Sequence, residues 1–302
     1  MKQFKIWVEA MRLRSLPVSI SGVVIAIAIA VWQGRFRWLP AVICLVFALL
    51  AQVVSNFANE YYDYKKGTDK KGRVGPRRGV TEGDISPTTL RNVTYITLAV
   101  TCLVGCCLIP LTMSFPYGGW KLIPVGALIA IFALAYSAGP YPLSYHGLGE
   151  LTVFIFYGLV PVNFSYYVMA GCFDAYAMLA SITIGFMGVN VLLINNYRDM
   201  DDDVEAGKNT AVVIFGRQLS AAAYLFNGFI AIAMLTPLWF VIYFQSSMSN
   251  WIYLIPVLYL VMHTITWIKL GRRTGAALNP LLGETARNML VFTVLMLLAL
   301  VL

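Results

Sequence analysis

Carboxylate and carboxamide side chains recur at intervals of four residues in two separate stretches of the sequence. Asn59 is followed by Asp63, and Asn195 is followed by Asp199 and Asp203. Residues four apart share one face of an α-helix, so each stretch would present a row of oxygen ligands in one direction. Oxygen-rich sites suit Mg²⁺, which binds a few carboxylates and takes its remaining ligands from water and phosphate. The spacing therefore predicts a magnesium site.

Two polar segments, near residues 56–90 and 195–218, contain these rows and hold ten of the chain's 14 acidic residues. Crowding like charges is unfavourable by about 1 kcal/mol per pair at 4 Å in water, and a bound cation would relieve that repulsion. Basic residues are interleaved with the acids: Lys65, Lys66, Arg73, Arg77, Arg78, Arg198 and Lys208. A diphosphate bridged by Mg²⁺ and clamped by Arg and Lys fits this mixture. Two solvated loops with mutual salt bridges are the alternative.

The rest of the chain is apolar, with 59% hydrophobic and 12% charged residues and a mean hydropathy of +0.74. Nine apolar runs have about the length, roughly 20 residues, of a helix that spans a bilayer core. They lie near residues 16–33, 38–58, 91–113, 119–138, 148–170, 175–194, 219–244, 250–269 and 285–302. The pattern predicts an all-α membrane protein, a single polytopic domain over residues 1–302. About nine transmembrane helices would surround a central cavity capped by the two Asp-rich loops.

The distribution of basic residues predicts the orientation of these helices, because basic loops tend to remain in the cytoplasm. In a nine-span arrangement, 19 of the 22 Lys and Arg residues fall on the side of the N-terminus and the acidic loops. We therefore expect a bacterial-type inner membrane protein with its N-terminus and both loops in the cytoplasm. Topology and contact with anionic membrane lipid account for the net charge of +8 without nucleic acid as a partner.

Motifs along nearly the whole chain resemble the UbiA superfamily of intramembrane aromatic prenyltransferases. Its first Asp-rich motif is similar to NEYYD at 59–63 with GTD at 67–69. Its second is similar to NNYRD at 195–199 with Asp203 and GKNT at 207–210. Three further stretches resemble the branch that acts on 1,4-dihydroxy-2-naphthoate in menaquinone synthesis. They are GPRRG at 75–79, YSAGPYPLSYHGLGEL at 136–151 and LNPLL at 278–282.

The resemblance implies an activity and a set of metal ligands. A polyprenyl group would pass from polyprenyl diphosphate to 1,4-dihydroxy-2-naphthoate in a Mg²⁺-dependent reaction that releases diphosphate and CO₂ and gives demethylmenaquinol. Glu60 stands where the family more often has Asp, and its longer side chain can still reach a metal. The implied ligands are Asn59, Glu60, Asp63, Asp69, Asn195, Asp199 and Asp203.

Other residues are expected to bind the substrates. Lys208, Arg198 and one of Arg77 or Arg78 would stabilise the leaving diphosphate, with Lys65 in the same basic group. Tyr136 and Ser137 match family positions near the reacting centre, where an aromatic face could stabilise an allylic cation. Arg12 and Arg77 are the candidates for binding the carboxylate of the acceptor.

Three other functions fit parts of the pattern. A related prenyltransferase could use 4-hydroxybenzoate, homogentisate or another aromatic acceptor. A divalent-cation transporter would also combine acids with nine spans, but its ionisable residues would lie at mid-span along a pathway, whereas these acids cluster at span ends. A lipid-binding or scaffold protein without catalysis would have no need for both acidic motifs.

Overall fold

The protein is a bundle of long helices in a computed structural model that describes residues 2–245 and 250–301. Its α-helices are α1 (Lys2–Met11), α2 (Leu16–Trp32), α3 (Trp38–Lys66), α4 (Pro87–Cys106), α5 (Leu108–Leu111), α6 (Ile123–Ala135), α7 (Gly149–Val153), α8 (Val160–Ala170), α9 (Ala175–Glu205), α10 (Ala211–Met234), α11 (Thr236–Gln245), α12 (Leu254–Arg272) and α13 (Asn279–Val301). A π-helical segment, Phe154–Leu159, joins α7 to α8.

Eight helical stretches within the described ranges are long and apolar enough to cross a membrane. A shorter apolar helix, Gly119–Ala135, occupies the place of the fourth predicted span. The prediction of an all-α bundle of about nine transmembrane helices is thereby confirmed, with one span shorter than expected. The chain is an integral membrane protein.

Two of the long helices, α3 and α9, continue well beyond their apolar parts. α3 has 29 residues and α9 has 31, which correspond to about 44 and 46 Å at 1.5 Å per residue. A bilayer core is only roughly 30 Å thick. Both acidic rows therefore lie on helical extensions that project past the apolar core at one end of the bundle.

Helix boundaries follow local sequence signals. Gly67 ends α3 in the left-handed conformation, at φ +74°, which costs glycine no side-chain clash. Ser86, just before Pro87, begins α4 by accepting a hydrogen bond from the Thr89 amide, and Asp174 caps α9 through the amides of Tyr176 and Ala177. The side chains of Ser86 and Asp174 thus satisfy amides that the first turn of a helix leaves unpaired.

Glycines allow the helices around the π-helical segment to pack closely. A Cβ on Gly158 would meet the Gly185 backbone of α9, and one on Gly22 of α2 would lie 3.0 Å from the Pro161 ring. Small residues permit such backbone approach between membrane helices, where dispersion contacts replace the hydrophobic effect as the main attraction. This packing fixes the segment that carries Phe156 and Tyr157 against the centre of the bundle.

Three loops meet at the end of the bundle that carries the acidic rows. Lys70 of loop 67–86 pairs with Glu205 at 2.8 Å, and the Asn209 amide of loop 206–210 donates to the Tyr145 carbonyl of loop 136–148 at 3.1 Å. The side chain of Asn279, at the start of α13, donates to the Val74 carbonyl at 3.0 Å. These contacts join the loops into one cap over the helix ends.

Candidate active site

Both acidic motifs line one cavity of about 660 Å³. Its polar end lies beneath the three loops and its remainder extends between the membrane-spanning helices. Ten of the residues expected to bind metal or substrate line this cavity: Arg12, Asn59, Asp63, Asp69, Arg78, Tyr136, Asn195, Asp199, Asp203 and Lys208. Side chains separated by more than 190 positions in the sequence therefore face a common space.

The four-residue spacing of the first motif produces a direct contact. Asn59 Nδ2 donates to Asp63 Oδ2 at 2.8 Å and to Ser137 Oγ at 3.0 Å. Asn59 Oδ1 accepts from Arg12 at 2.8 Å and from Arg78 at 3.3 Å. The carboxamide thus uses both its donor and its acceptor atoms to hold the first carboxylate and two guanidinium groups in place.

The second motif combines its carboxylates with cations from the same segment. Arg198 binds both oxygens of Asp199 at 2.7 Å and also donates to Asn195 Oδ1 at 2.9 Å. Lys208 Nζ lies 3.5 Å from Asp203 Oδ1. Bidentate Arg–carboxylate pairs fix orientation as well as charge, so the side chain of Asp199 is firmly positioned.

Arg73 connects the two motifs. Its Nη1 lies 3.1 Å from Asp69 Oδ1, and its Nη2 donates to Asp199 Oδ2 at 3.1 Å. One guanidinium group therefore spans a carboxylate from each acidic segment, which places Asp69 and Asp199 within a few ångströms of each other. The sequence placed Arg73 only within the general basic group and did not single it out.

Tyr145 is a second site residue that the sequence did not indicate. Its hydroxyl donates to Asp63 Oδ1 at 2.9 Å and contacts Thr68 Oγ1 at 2.6 Å. Its ring lies beneath two ammonium groups, 4.4 Å from Lys66 Nζ and 5.4 Å from Lys208 Nζ, within the range of cation–π attraction. Only its position in the run from 136 to 151 could have drawn attention to it.

Burial and charge change the proton affinity of three of these groups outside the membrane-spanning helices. Burial raises the pKa of Asp69 to about 6, although Arg73 acts in the opposite direction. Burial lowers the pKa of Lys208, but the carboxylates led by Asp63 and Asp203 outweigh burial and hold that pKa above its usual value. Burial, and then the charge of Asp63, raise the pKa of Tyr145. At neutral pH Lys208 is therefore a cation and Tyr145 keeps the proton that it donates.

The carboxylates lie near one another without forming a ready-made metal cage. Across residues 2–245 and 250–301, no three His, Cys, Asp or Glu side chains form a group that could hold a metal ion. Guanidinium and ammonium groups lie between the acids instead. Asp203 Oδ2 is nevertheless buried and makes no hydrogen bond within those ranges, whereas Asp69 Oδ2 lies 3.2 Å from Arg78 Nε. Buried carboxylate oxygens without donors are the atoms to which a hard cation binds.

Several residues expected at the site lie outside the cavity lining. Glu60 faces the loop, where its carboxylate accepts from the Val80 amide at 3.2 Å, because neighbouring residues point about 100° apart around a helix. Arg77 pairs with Asp84, and Lys65 is exposed. Arg198 and Ser137 do not line the cavity either, but they contact Asp199 and Asn59, which do.

The apolar part of the cavity lies between α3, α4, α6 and α8. Its wall includes small side chains and aromatic rings, among them Ala48, Gly105, Gly126, Phe132, Phe156 and Phe164. Tyr157, from the π-helical segment, lies on the same wall. A single space thus joins charged groups that suit a polyanion to an apolar channel inside the membrane bundle.

A cavity that joins acidic and basic groups to an apolar channel in a membrane-embedded helical bundle suits a membrane enzyme whose substrate has an anionic head and an apolar tail. The sequence profile of the UbiA prenyltransferase family matches residues 19–282, and the chain belongs to that family. The resemblance inferred from the motifs is confirmed, and the chain is an enzyme, a prenyltransferase.

Curated relatives and solved structures agree with this family. The 1,4-dihydroxy-2-naphthoate octaprenyltransferase of Escherichia coli (strain K12) is 31% identical over 96% of this chain and 92% of its own length. The protein with the same name from Mycobacterium tuberculosis is 32% identical over 97% and 95%. A UbiA homolog from Archaeoglobus fulgidus bound to DMAPP and Mg²⁺ shares the fold, with a TM-score of 0.64 and 17% identity over 98% of this chain and 99% of that one.

Proposed function

We propose that the protein transfers a polyprenyl group from polyprenyl diphosphate to 1,4-dihydroxy-2-naphthoate, releasing diphosphate and CO₂ and giving demethylmenaquinol. The observation that carries this proposal is the single cavity, which combines both acidic motifs with an apolar channel. A diphosphate needs the first part and a polyprenyl tail needs the second. The names of full-length relatives at 31–32% identity support the choice of acceptor.

The polar end suits Mg²⁺ together with diphosphate. Asp63, Asp69, Asp199 and Asp203 supply the carboxylate oxygens, and Asp203 Oδ2 is buried without a hydrogen-bond donor among the described residues. Asn59 orients Asp63 directly, and Asn195 accepts from Arg198, which holds Asp199. When bound, the metal would neutralise diphosphate oxygens and so favour departure of that group. The homolog bound to DMAPP and Mg²⁺ supports this assignment.

Cationic side chains bind the diphosphate and stabilise the charge that develops as it leaves. Lys208 and Arg78 line the cavity and are the main candidates. Arg198 acts indirectly, since it holds Asp199 from outside the lining. Arg77 is bound to Asp84. Of the two arginines, Arg78 is therefore the one that we assign to stabilising the leaving diphosphate. Fixed charges in a site that excludes water stabilise a leaving anion without reorganisation.

The reaction then proceeds by breakage of the allylic C–O bond, whose electron pair leaves with the diphosphate. The aromatic rings of Tyr136 and Tyr157 line the cavity and stabilise the allylic cation through their faces. The electron-rich acceptor ring attacks this cation and forms the C–C bond, and loss of CO₂ from the substituted carbon restores aromaticity. The cap of three loops excludes water, which would trap the cation as an alcohol.

Arg12 is the candidate for binding the acceptor's carboxylate. It lines the cavity, its Nε is buried and makes no hydrogen bond within the described ranges, and it is the only non-glycine residue there with a positive φ, +50°. A backbone conformation that costs free energy is retained where the surrounding structure or a ligand fixes it. Arg77, the other candidate from the sequence, faces away from the cavity.

An assay of the purified protein with Mg²⁺, prenyl diphosphates and a panel of aromatic acceptors tests the proposal. We expect product with 1,4-dihydroxy-2-naphthoate and release of one CO₂ per prenyl group. Prenylation of 4-hydroxybenzoate or homogentisate alone would assign the enzyme to another acceptor. If no acceptor is prenylated while Mg²⁺ crosses the membrane of liposomes that contain the protein, the protein is a divalent-cation transporter instead.

We also propose that the loop cap faces the cytoplasm in a bacterial inner membrane. The basic residues of the N-terminus and of loops 67–86 and 206–210 support this orientation. A fluorescent protein fused to the N-terminus should then fluoresce, and alkaline phosphatase fused after residue 302 should be active. An inactive N-terminal fluorescent protein together with an inactive alkaline phosphatase would show that the protein has the opposite orientation.

A further inference from the structure

Arg73 lies where two acidic segments need a positive charge between them. Its side chain is only 13% exposed, and its two terminal nitrogens lie 3.1 Å from Asp69 Oδ1 and 3.1 Å from Asp199 Oδ2. Carboxylates this close repel each other strongly unless a cation separates them. In this structure, that cation is the guanidinium group of Arg73.

The surroundings of Arg73 are adapted to this position. A Cβ on Gly75 would lie 2.9 Å from Arg73 Nη2 and 3.0 Å from Arg198 Nη2. Glycine at this position therefore leaves the space in which two guanidinium groups converge on Asp199. Arg198 already binds both oxygens of Asp199, so Arg73 is an additional cation on a carboxylate that has one.

Among the described ion pairs, Arg73 alone joins carboxylates of both motifs. Arg78 also pairs with Asp69, at 3.2 Å, but its second contact, Asn59, belongs to the same motif. Lys208 pairs with Asp203 within the second motif. A metal ion that bridges Asp69 Oδ1 and Asp199 Oδ2 must therefore displace Arg73 in particular.

We propose that Arg73 is an exchangeable counter-cation, which bridges Asp69 and Asp199 in the metal-free protein and moves to the diphosphate when metal and diphosphate bind together. The role of Arg73 is that of a positioning residue, and it rests on the proposed role of the acidic motifs in metal binding. Metal alone must displace a buried ion pair and leave a guanidinium group without a partner, which is costly. Diphosphate supplies that partner, so each ligand strengthens binding of the other.

Binding of Mn²⁺, as a paramagnetic substitute for Mg²⁺, tests this exchange by electron paramagnetic resonance on the full-length purified protein. Inorganic pyrophosphate serves as the anion, and free Mn²⁺ and Mn²⁺–pyrophosphate are measured separately in protein-free samples. For the wild type we expect pyrophosphate to strengthen Mn²⁺ binding at least about tenfold, within the usual range of coupling between sites. For Arg73→Gln, Mn²⁺ alone should bind about tenfold more tightly than in the wild type, and pyrophosphate should add less than about threefold.

Lys70→Gln is the matched control, because Lys70 belongs to the same loop and lines the same cavity but pairs with Glu205, outside the metal set. Its Mn²⁺ affinity should remain within about twofold of the wild type. If Lys70→Gln strengthens Mn²⁺ binding as much as Arg73→Gln, a general charge effect replaces the bridge. Should Arg73→Gln not fold, Arg73→Lys retains one ion pair but cannot span two carboxylates, and Mn²⁺ alone should bind it at least about threefold more tightly.

The results separate this inference from the proposed function. If pyrophosphate strengthens Mn²⁺ binding equally in the wild type and in Arg73→Gln, Arg73 is no exchangeable cation while the metal role stands. If none of the proteins binds Mn²⁺ with or without pyrophosphate, the metal assignment itself is wrong and the inference falls with it.

Discussion

Asp199 and Asp201 lie two residues apart on α9 and have opposite surroundings. The side chain of Asp199 is 7% exposed and bound by Arg198 and Arg73. That of Asp201 is 82% exposed and pairs with Arg217 at 2.9 Å. Two residues correspond to about 200° around a helix, so one acid-rich run contains both site residues and surface residues.

Asp199→Asn should therefore lower kcat/KM by at least about 100-fold, because the amide cannot supply the negative charge that a metal ion needs. Asp201→Asn, the matched control, should remain within about twofold of the wild type, since exposed ion pairs contribute little. Both rates are measured by prenyl transfer in detergent, with thermal unfolding to verify the fold. Equal activity of the two variants would contradict the assignment of Asp199.

Tyr145 offers a second contrast at the residue scale. Tyr145→Phe removes the hydrogen bond to Asp63 but keeps the ring beneath Lys66 and Lys208. A hydrogen bond to a charged group contributes about 1.5–3 kcal/mol, so we expect kcat/KM to fall at least about tenfold. Tyr141→Phe changes an exposed tyrosine of the same loop, which stacks on His146, and should leave the rate unaltered. A Tyr145→Phe variant with the wild-type rate would show that the hydroxyl has no role in positioning Asp63.

At the scale of elements, the function depends on how far α3 and α9 extend. Each helix carries its acidic row on the part that projects beyond the apolar core, so the carboxylates avoid the cost of burial in lipid and still face the cavity. The π-helical segment has a related role. It turns Phe156 and Tyr157 toward the cavity while Gly158 packs on α9, as π-helical turns often do at functional sites.

Because Gly158 packs closely on α9, we predict that a larger residue at this position destabilises the protein. Gly158→Ala adds a Cβ that would overlap the Gly185 backbone, and overpacking of this kind costs typically about 1–3 kcal/mol. We expect Tm to fall by several degrees in a thermal shift measurement. Gly271→Ala, near the end of α12, meets nothing within 4 Å and should leave Tm unchanged or slightly higher. If both variants melt alike, the contact between the π-helical segment and α9 is not a packing constraint.

At the scale of the whole molecule, the bilayer and the cavity act together. The charged end of the cavity opens toward the loops, and its apolar part lies among helices that themselves face lipid, which suits a substrate with a polar head and a long hydrocarbon tail. Burial of that tail contributes about 0.8 kcal/mol per CH₂ in either medium, so the tail can exchange between membrane and protein at little net cost.

A substitution at Gly126 tests whether the apolar channel holds the polyprenyl tail. Gly126 lines the apolar part of the cavity, and a Cβ there would meet nothing within 4 Å, so a side chain added at this position begins in open space. Gly126→Phe should lower kcat/KM for long polyprenyl diphosphates at least about tenfold while that for geranyl diphosphate changes less than about threefold. The two donors are compared in the same preparation, which controls for folding. Equal loss with both donors would place the tail elsewhere.

Much of the architecture could be predicted from local sequence. Apolar runs define the spans because each must satisfy its own backbone hydrogen bonds in lipid, and the four-residue rows define the helix faces that carry Asp63 and Asp199. Both are properties of short segments. They were sufficient to predict an all-α bundle with two acidic rows, whereas the UbiA family was inferred from the resemblance of the motifs around those rows.

The tertiary structure decided which residues meet. Arg73 and Tyr145 belong to loops whose path depends on contacts with distant segments, and no spacing in the sequence indicates that one reaches Asp199 and the other Asp63. The tertiary structure also decided which predicted residues lie outside the cavity. Glu60 and Arg77 carry suitable chemical groups but contact loop partners instead of the cavity. Helix periodicity is encoded within a few residues, whereas the neighbours of a loop side chain are set by the packing of the whole bundle.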